Sequence, residues 1–341
     1  LFPYTTLFRS DRSIFMNTFW KSFPDVERSL TETCELIEQT LHTRNEDIEE
    51  ALVTLARSGG KLLRPAFFFL FAQLGDEEKQ EKQQLLKIAA SLEILHMATL
   101  IHDDIIDDSP LRRGAVTIQS QYGKDVAVYT GDLLFTEFFT LIADAMNGSE
   151  FMKINAQGMK RLLLGELDQM SHRFDRRMSI PAYLRSVNGK TAELFSLSCL
   201  EGAYFGHSSK EVQRLAKRIG RHIGIAFQVY DDILDYTADT ETLKKPALED
   251  LSQGVYTLPL LFAYQAAPDV FSPYLDKGRA ITLEEAAEVA ALVNDYHGVT
   301  EAQAFAKKVT NKAITDIQQL PDGTAKETLL SLTELLLHRS F

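Results

Sequence analysis

The chain has 341 residues, of which 45% are hydrophobic and 25% are charged, and its formal net charge is −12. The length suffices for a large hydrophobic core, while the acidic balance argues against nucleic acid as a partner. No segment has the roughly 18 uninterrupted apolar residues of a membrane span, so we do not expect an integral membrane protein. Two cysteines, Cys34 and Cys199, form neither a disulfide framework nor a zinc site, which favours the reducing cytoplasm.

The first fifteen residues differ from the rest of the chain. They contain Pro3, paired threonines and two arginines, but neither an apolar h-region nor a small-residue cleavage site, so a signal peptide is not expected. Met16 is followed by ordinary amphipathic sequence. We therefore expect residues 1–15 to be a non-native leader and residues 16–341 to form a single domain.

Helical periodicity runs through the chain from Val26 onward. Apolar residues recur at helical spacing, as at Leu85, Ile88 and Leu92, and alternating β-branched runs are scarce. Turn residues interrupt the pattern at Ser58-Gly59-Gly60, Leu74-Gly75-Asp76, Ser109-Pro110, Asn147-Gly148-Ser149, Ser179-Ile180-Pro181, Gly206 to Ser209, Lys245-Pro246, Ala267-Pro268 and Leu320-Pro321-Asp322-Gly323. About ten helices without a linker or repeat predict an all-α chain folded as a single large helical bundle.

Two acidic motifs of the same pattern stand out in this helical sequence. Each is embedded in an apolar stretch: Asp103-Asp104-Ile105-Ile106-Asp107 and Asp231-Asp232-Ile233-Leu234-Asp235. On a helix, residues four apart share a face, so each motif presents a cluster of carboxylates whose mutual repulsion favours a bound cation. Hard oxygen ligands at this density suit Mg²⁺, which keeps waters and substrate phosphate oxygens as further ligands. The two motifs together indicate a magnesium-dependent diphosphate site.

A diphosphate carries more negative charge than Mg²⁺ fully offsets, so basic side chains are also expected near it. The candidates are Lys61 and Arg64 one turn apart, His96 two turns before the first acidic motif, Arg112 and Arg113 directly after it, and the later Lys190 and Lys245. Each of these residues taken alone is more typical of a surface or core position than of a ligand. Their places around the acidic motifs favour a role in binding.

These ordered motifs resemble those of the trans-isoprenyl diphosphate synthases, also called polyprenyl synthetases. The resemblance extends from about Gly59 to Thr257 and includes Gly60-Lys61-Leu62-Leu63-Arg64-Pro65, His102-Asp103-Asp104, Arg112-Arg113-Gly114, Gly165-Glu166, Gly189-Lys190-Thr191-Ala192 and Gln228-Val229-Tyr230-Asp231-Asp232. It implies an isoprenoid synthase bundle around a central apolar cavity. It also implies three Mg²⁺ ions when the allylic diphosphate is bound.

The resemblance implies a role for each matching residue. The metal ligands are Asp103, Asp104, Asp107, Asp231, Asp232 and Asp235. Isopentenyl diphosphate is bound by Lys61, Arg64, His96 and Arg113, and the allylic substrate contacts Arg112, Lys190, Thr191, Gln228 and Lys245. The aspartates other than Asp235, with Lys190 and Gln228, are the expected catalytic set. One departure is Val255, which stands where many members have a lysine that contacts the allylic diphosphate.

The implied reaction begins with ionisation of the allylic C–O bond, because metal ions and basic groups stabilise the departing diphosphate. The isopentenyl double bond then adds to the allylic cation, and loss of a proton to the released diphosphate completes the extension. Apolar walls exclude water, and the dipoles of Thr191 and Gln228 face the delocalised positive charge. No side chain is assigned as general base.

Product length is expected to depend on the residues four and five positions before the first acidic motif, which often form the channel floor in this family. Here they are Thr99 and Ala98, and their small side chains predict a product of hexaprenyl to octaprenyl size, C30–C40. Farnesyl diphosphate is the expected allylic substrate and a quinone side chain the expected use. Phe135, Phe138 and Phe139 are candidates to close the channel deeper down, and a shorter farnesyl or geranylgeranyl product is the alternative.

Competing functions remain at this stage. A terpene cyclase also ionises an allylic diphosphate but needs no isopentenyl pocket, and a non-catalytic partner subunit commonly lacks the acidic motifs. A Ca²⁺-binding module would need loop ligands around a glycine. The resemblance points to a catalytic chain, like that of a heptaprenyl diphosphate synthase, acting as a homodimer or with a small regulatory subunit.

Overall fold

The computed structural model describes residues 18–57, 60–237 and 249–337. The expected leader and Lys245 lie outside these ranges. The chain divides into two compact units, which we call unit 1 (residues 1–69 and 80–149) and unit 2 (residues 70–79 and 150–341). The boundary falls within a helix, between Phe69 and Leu70.

Unit 1 is built from helices and one short hairpin. Its elements are a 3₁₀ turn (Thr18–Ser22), α1 (Pro24–Thr40), α2 (Glu46–Arg57), most of α3 (Leu63–Ala72), α4 (Lys82–Ile106), β1 (Leu111–Arg112), β2 (Ala115–Val116), α5 (Ile118–Tyr122) and α6 (Lys124–Met146). The apolar α4 packs against α6 and α1, which explains why nearly all its side chains from Leu85 to Ile101 are buried or half-buried.

Unit 2 is helical throughout its described part. Its elements are a 3₁₀ turn (Glu77–Lys79), α7 (Phe151–Ser171), α8 (Ile180–Val187), a π-helical turn (Asn188–Ala192), α9 (Glu193–Phe205), α10 (Lys210–Thr237), α11 (Glu249–Ser252), α12 (Leu258–Ala266), α13 (Pro268–Leu275), a 3₁₀ turn (Gly278–Ala280), α14 (Leu283–Asp295), α15 (Gly298–Gln318) and α16 (Thr324–Leu337). The long α10 packs against α9 and α15, and its apolar face forms the centre of the unit.

Small residues allow α10 to lie very close to its neighbours. A Cβ on Gly224 would stand 2.5 Å from the Cα of Ala192, and one on Gly220 would stand 2.5 Å from the carbonyl oxygen of Phe195. Because backbone atoms cannot move aside as a side-chain tip can, these positions require glycine. The close approach holds the second acidic motif, at the end of α10, against the π-helical turn.

The described part of the chain confirms the all-helical prediction, since its strands are confined to the two-residue ladder of β1 and β2. Two helices, α4 and α6, are long and apolar enough to span a membrane by length and composition. The apolar part of α4 is mostly buried within the protein, as in the core helix of a globular domain, whereas less than half of the α6 segment is buried.

Candidate active site

The first acidic motif lies at the C-terminal end of α4. The helix ends at Ile106, and Asp107 caps it by donating its backbone N–H to the carbonyl of Asp103 at 2.9 Å. Asp104 is buried, while Asp103 and Asp107 are half-buried. The motif therefore offers one enclosed carboxylate and two that are partly accessible.

Asp104 forms a short ion pair with Arg112, which lies on β1. Both Nε and Nη2 of the guanidinium approach Oδ1 of Asp104 at 2.7 Å. The pair lines a cavity of about 170 Å³ together with side chains of α2 and α5, including Thr54 and Tyr122. Arg112, predicted from the sequence to contact the allylic substrate, is thus anchored in unit 1 by a metal-ligand candidate.

His102, next to the first motif, fixes α4 against α6. Its ring stacks on Phe135 with centroids 5.2 Å apart, and its Nε2 lies 3.2 Å from Oδ1 of Asp132. A Cβ on Gly131 would come within 2.6 Å of the imidazole, so glycine is needed where the helices cross. These contacts hold the C-terminal part of α4 against α6.

The predicted isopentenyl diphosphate ligands all belong to unit 1. Lys61 precedes α3, where its carbonyl accepts a hydrogen bond from Nε1 of Trp20 at 2.8 Å, and Arg64 lies in the first turn of α3. The pKa of His96 lies well below its ordinary value, because burial and the positive charges of Arg64 and Arg113 all disfavour the imidazolium. His96 is therefore neutral near pH 7 and can donate a hydrogen bond without adding positive charge.

Arg113 occupies a turn that most side chains avoid. It and Gly114 form the two-residue loop of the hairpin, and both have positive φ, 52° and 84°. Such a loop requires this conformation at both positions, for which Asn and Gly are preferred. Arg113 therefore adopts a backbone conformation that Asn or Gly would adopt at lower cost.

The second acidic motif lies near the C-terminal end of α10 in unit 2. Asp231 is exposed, Asp235 is half-buried and Asp232 is buried. Asp232 accepts hydrogen bonds from the Tyr183 hydroxyl and from Nε2 of Gln228, the latter at 2.9 Å. Each motif thus has its second aspartate buried and bonded to a fixed partner.

A chain of hydrogen bonds orients Gln228. The hydroxyl of Thr191, in the π-helical turn, donates to Oε1 of Gln228 at 2.6 Å, and Nε2 of Gln228 donates to Asp232. The amide is therefore held in one orientation from both ends. The structure brings together Thr191 of one sequence motif with Gln228 and Asp232 of another.

Burial and the negative charge of Asp250 raise the pKa of Asp232 well above its ordinary value, whereas the hydrogen bonds from Tyr183 and Gln228 oppose this shift. A carboxyl group in these surroundings accepts a proton unless a cation offsets the neighbouring charges. A bound divalent metal ion would reverse this balance, because it is the largest local charge in such a site.

Lys190 is held in the π-helical turn by side chains of α7. Its Nζ lies 2.9 Å from Oε2 of Glu166 and donates to Oε1 of Gln169 at 3.2 Å. A Cβ on Gly165 would stand 2.5 Å from the backbone nitrogen of Lys190. The Gly165-Glu166 motif therefore has two roles: the glycine allows the contact and the glutamate binds the lysine.

The carboxylate chemistry fits a hard divalent cation, since Mg²⁺ needs only one or two protein carboxylates beside water and phosphate oxygens. Within residues 18–57, 60–237 and 249–337, no three His, Cys, Asp or Glu side chains converge as a ready-made metal cage. The oxygens of Asp104 and Asp232 are already oriented by hydrogen bonds. Such preorganisation is typical of metal ligands.

The residues predicted to set product length lie on α4. Ala98 is fully enclosed, and Thr99 is half-buried with its hydroxyl donating to the carbonyl of His96 at 2.7 Å. Of the predicted blocking residues on α6, Phe138 is fully buried and Phe139 is 40% exposed. Val255, at the position of the missing lysine, is buried, and its N–H donates to the carbonyl of Asp250 at 2.8 Å.

Glu93 and Tyr183 were not identified as site residues from the sequence. Glu93 is a single acid in the apolar run Ser91-Leu92-Glu93-Ile94-Leu95, one turn before His96, and that placement is the signal that could have found it. Tyr183 lies in α8, outside every motif quoted above, and only the folded chain brings it to Asp232.

Comparison with known proteins gives consistent matches. The polyprenyl synthetase family model matches residues 45–295. Heptaprenyl diphosphate synthase component 2 of Bacillus subtilis is 30% identical over 305 residues, covering 89% of this chain and 86% of that protein. The crystal structure of geranylgeranyl pyrophosphate synthase from Lactobacillus brevis is 44% identical, covers 94% of this chain and 99% of that one, and superposes with a TM-score of 0.90.

A polyprenyl synthase from Caulobacter crescentus, crystallised with calcium and isoprenyl diphosphate, is 29% identical and covers 93% of this chain and 96% of that one, with a TM-score of 0.86. These matches confirm the all-α isoprenoid synthase fold and the assignment as a prenyltransferase. The chain belongs to the polyprenyl synthetase family of trans-isoprenyl diphosphate synthases.

Proposed function

We propose that this chain condenses an allylic diphosphate with isopentenyl diphosphate to give an allylic diphosphate extended by one isoprene unit. The observation that carries the proposal is the shared design of the two acidic motifs. In each, a buried aspartate is fixed by hydrogen bonds, Asp104 by Arg112 and Asp232 by Gln228, beside aspartates that are more accessible. This arrangement supports metal-assisted binding of a diphosphate.

The six motif aspartates are the proposed ligands of three Mg²⁺ ions: Asp103, Asp104, Asp107, Asp231, Asp232 and Asp235. When bound, the ions would neutralise the charge that accumulates on the departing diphosphate. Arg112 holds Asp104, and Gln228 with Tyr183 holds Asp232, so the carboxylates need little rearrangement when the substrate enters.

The allylic half of the reaction is assigned to the π-helical turn and α10. The ammonium group of Lys190, kept in place by Glu166, binds the allylic diphosphate. Oε1 of Gln228 accepts one hydrogen bond from Thr191 and keeps a second lone pair. That lone pair stabilises the positive charge that develops on the allylic carbon chain.

The isopentenyl half is assigned to the basic residues of unit 1, namely Lys61, Arg64, His96 and Arg113. The lysine and the two arginines supply positive charge for the diphosphate, and the neutral His96 supplies a hydrogen-bond donor. The bound isopentenyl group adds through its double bond to the allylic cation. The proton lost from the adduct goes to the released diphosphate, so no side chain is needed as base.

We further propose a medium-length product, of hexaprenyl to octaprenyl size, made from farnesyl diphosphate and suited to a quinone side chain. The small side chains at positions 98 and 99 support this length. The likeness to the Bacillus subtilis heptaprenyl component supports it as well. The name of that relative, component 2, also supports a second subunit as partner.

A second candidate is a geranylgeranyl diphosphate synthase. Two observations favour it: the 44% identity to the Lactobacillus brevis geranylgeranyl pyrophosphate synthase, and the full enclosure of Ala98, whose methyl group faces packed protein. The two candidates share the chemistry and differ only in the number of condensation cycles.

The decisive experiment incubates the purified chain with farnesyl diphosphate, labelled isopentenyl diphosphate and Mg²⁺, and separates the products by chain length. We expect C30–C40 products, whereas C20 alone would establish the shorter synthase. We also expect that the protein does not turn over the allylic substrate alone and that chelation of Mg²⁺ abolishes activity. Product formed without isopentenyl diphosphate would instead indicate a cyclase.

Thr99→Tyr tests the channel-floor hypothesis better than a change at Ala98, since the Thr99 side chain is half-buried whereas that of Ala98 is fully enclosed. We expect this variant to shorten the main product by at least one isoprene unit while the rate of the first condensation is largely retained. An unchanged product distribution would reject Thr99 as a length determinant.

A further inference from the structure

The carboxyl group of Glu93 lies within the basic region of unit 1. Glu93 is on α4, only 8% exposed, and three residues before His96, so the two side chains point to the same side of the helix. A buried carboxylate is costly unless nearby groups compensate it. Its position among residues assigned to an anionic substrate therefore requires a reason.

The groups that compensate Glu93 are two arginines of the predicted isopentenyl site. Burial raises the pKa of Glu93, and Arg64 and Arg113 both act to lower it. A Cβ on Gly60 would stand 3.0 Å from Nη1 of Arg113 and 3.7 Å from Oε1 of Glu93. Glycine at position 60 thus leaves the space in which these two side chains approach each other.

The second carboxylate oxygen of Glu93, Oε2, is buried and accepts no hydrogen bond from the described residues. Glu93 and Arg113 line one small cavity, together with Gly60, Leu62 and Met97. The remaining lining is apolar apart from Cys34 and Glu38, so Arg113 provides the positive charge in this cavity. One oxygen of this buried carboxylate is therefore satisfied by nearby positive charge and not by a hydrogen bond from the described residues.

We propose that Glu93 is a positioning residue that holds the guanidinium groups of Arg64 and Arg113 in the arrangement that binds isopentenyl diphosphate. The proposal rests on the proposed function. Two guanidinium groups that share one anion site repel each other while that site is empty. A buried carboxylate beside them offsets this repulsion and restricts their rotamers, so less conformational entropy is lost when the diphosphate binds.

The test is Glu93→Gln, which keeps the shape of the side chain and removes its charge. We expect the KM for isopentenyl diphosphate to rise about tenfold or more, consistent with loss of a charge-assisted contact. The KM for the allylic diphosphate should change less than twofold. Glu93→Asp, which restores the charge, should recover at least part of the lost affinity.

Glu201→Gln is the matched control, because Glu201 is also a buried glutamate whose Oε2 accepts no hydrogen bond within the described ranges, but it lies in unit 2 on α9. Its KM for isopentenyl diphosphate should equal that of the wild type. Calorimetric titration of each variant with isopentenyl diphosphate gives the same comparison without turnover, and circular dichroism verifies folding.

An unchanged or lower KM for isopentenyl diphosphate in Glu93→Gln would overturn the proposal, as would an equal rise in both KM values or an equal effect of Glu201→Gln. Failure of the proposed function gives a different result: the wild type itself then forms no condensation product. A wild type that is active beside an unaffected Glu93→Gln variant rejects only the role of Glu93.

Discussion

Asp232 lies inside unit 2, and its ionisation depends on two hydrogen-bond donors, the hydroxyl of Tyr183 and the amide of Gln228. Burial and Asp250 favour the protonated carboxyl, whereas both donors favour the carboxylate. At this scale, function depends on the donors that surround an acidic residue as much as on the residue itself. Asp104 likewise has a fixed donor, since Arg112 contacts its carboxylate at 2.7 Å.

Tyr183→Phe removes one donor from Asp232. Since that donor lowers the pKa of Asp232, the variant should hold a smaller fraction of carboxylate and bind Mg²⁺ more weakly. We expect the Mg²⁺ concentration for half-maximal activity to rise about tenfold, as for loss of other groups that orient metal ligands. Tyr274→Phe is the control, because Tyr274 donates to Glu288 on the surface. Equal Mg²⁺ dependence of both variants and wild type would contradict the prediction.

Glu201, on α9, carries a fully buried carboxyl group. Burial raises its pKa from 4.5 to about 8, and the 2.5 Å hydrogen bond from Asn155 only partly opposes this. The folded state therefore binds the proton more tightly than the unfolded chain. The contribution of this group is fully favourable below about pH 4.5 and is lost as pH rises towards 8.

Glu201→Gln should remove this pH dependence. At pH 9 the variant should be more stable than the wild type by on the order of 2–4 kcal/mol, and below pH 5 the two should differ little. Urea unfolding at both pH values measures the difference. A stability difference that does not change with pH would show that Glu201 does not titrate between the two conditions.

At the scale of elements, the π-helical turn at residues 188–192 positions the allylic part of the site. Such turns are rare and often occur at functional positions. Here the turn presents Lys190 towards α7 and Thr191 towards α10, where each finds a polar partner. Gly165 and Gly189 permit the close approach of α7, since a Cβ on either would come within 2.7 Å of backbone atoms.

Gly165→Ala should therefore displace the turn. The added Cβ would meet the backbone nitrogen of Lys190 at 2.5 Å, so we expect a loss of about 1–3 kcal/mol in unfolding free energy and at least a tenfold fall in kcat/KM for the allylic substrate. Gly158→Ala in the same helix is the control, because its Cβ would meet only side-chain atoms at 3.4 Å or more. Thermal unfolding and steady-state kinetics distinguish the two, and equal behaviour would contradict the packing account.

For the whole molecule, the exposed apolar face of α6 is the surface on which we propose that copies of this chain assemble. Apolar side chains remain exposed along this helix, among them Val128, Tyr129, Leu133 and Phe139, with Tyr129 76% exposed. A helix apolar enough for a membrane core yet less than half buried carries an unpartnered apolar surface, which commonly marks an interface. With the dimers implied by the family resemblance, a second copy of this chain is the proposed occupant.

Leu133→Glu tests this assembly. The substitution would place a buried charge in the interface between the copies. We therefore expect a dimer in the wild type and a monomer in the variant at micromolar concentration, measured by light scattering after gel filtration. Leu335→Glu is the control, because Leu335 on α16 is also exposed, at 52%. A monomeric wild type, or a dimer that survives Leu133→Glu, would exclude α6 as the interface between copies.

Sequence motifs alone predicted the helical class, the two aspartate clusters and the basic residues, because helical periodicity and the spacing of charged residues are local properties of a chain. The family resemblance assigned Thr191, Gln228 and Asp232 to the allylic substrate and its metal ions. Only the structure shows the hydrogen bonds that join them. Side-chain size at position 98 can be read from the sequence, but only the structure shows that the Ala98 methyl group is fully enclosed.

The amino-acid sequence by itself determined the fold class, the family and the kinds of side chain available for chemistry, since each is encoded in periodicity and in short ordered motifs. The tertiary structure decided which partner each side chain has. Tyr183 with Asp232, Glu166 with Lys190, and Glu93 near Arg64 and Arg113 come from different elements, and their contacts arise only when helices pack. Packing sets burial and neighbouring charge, and these determine whether an acidic residue is a ligand, a positioning group or part of the core.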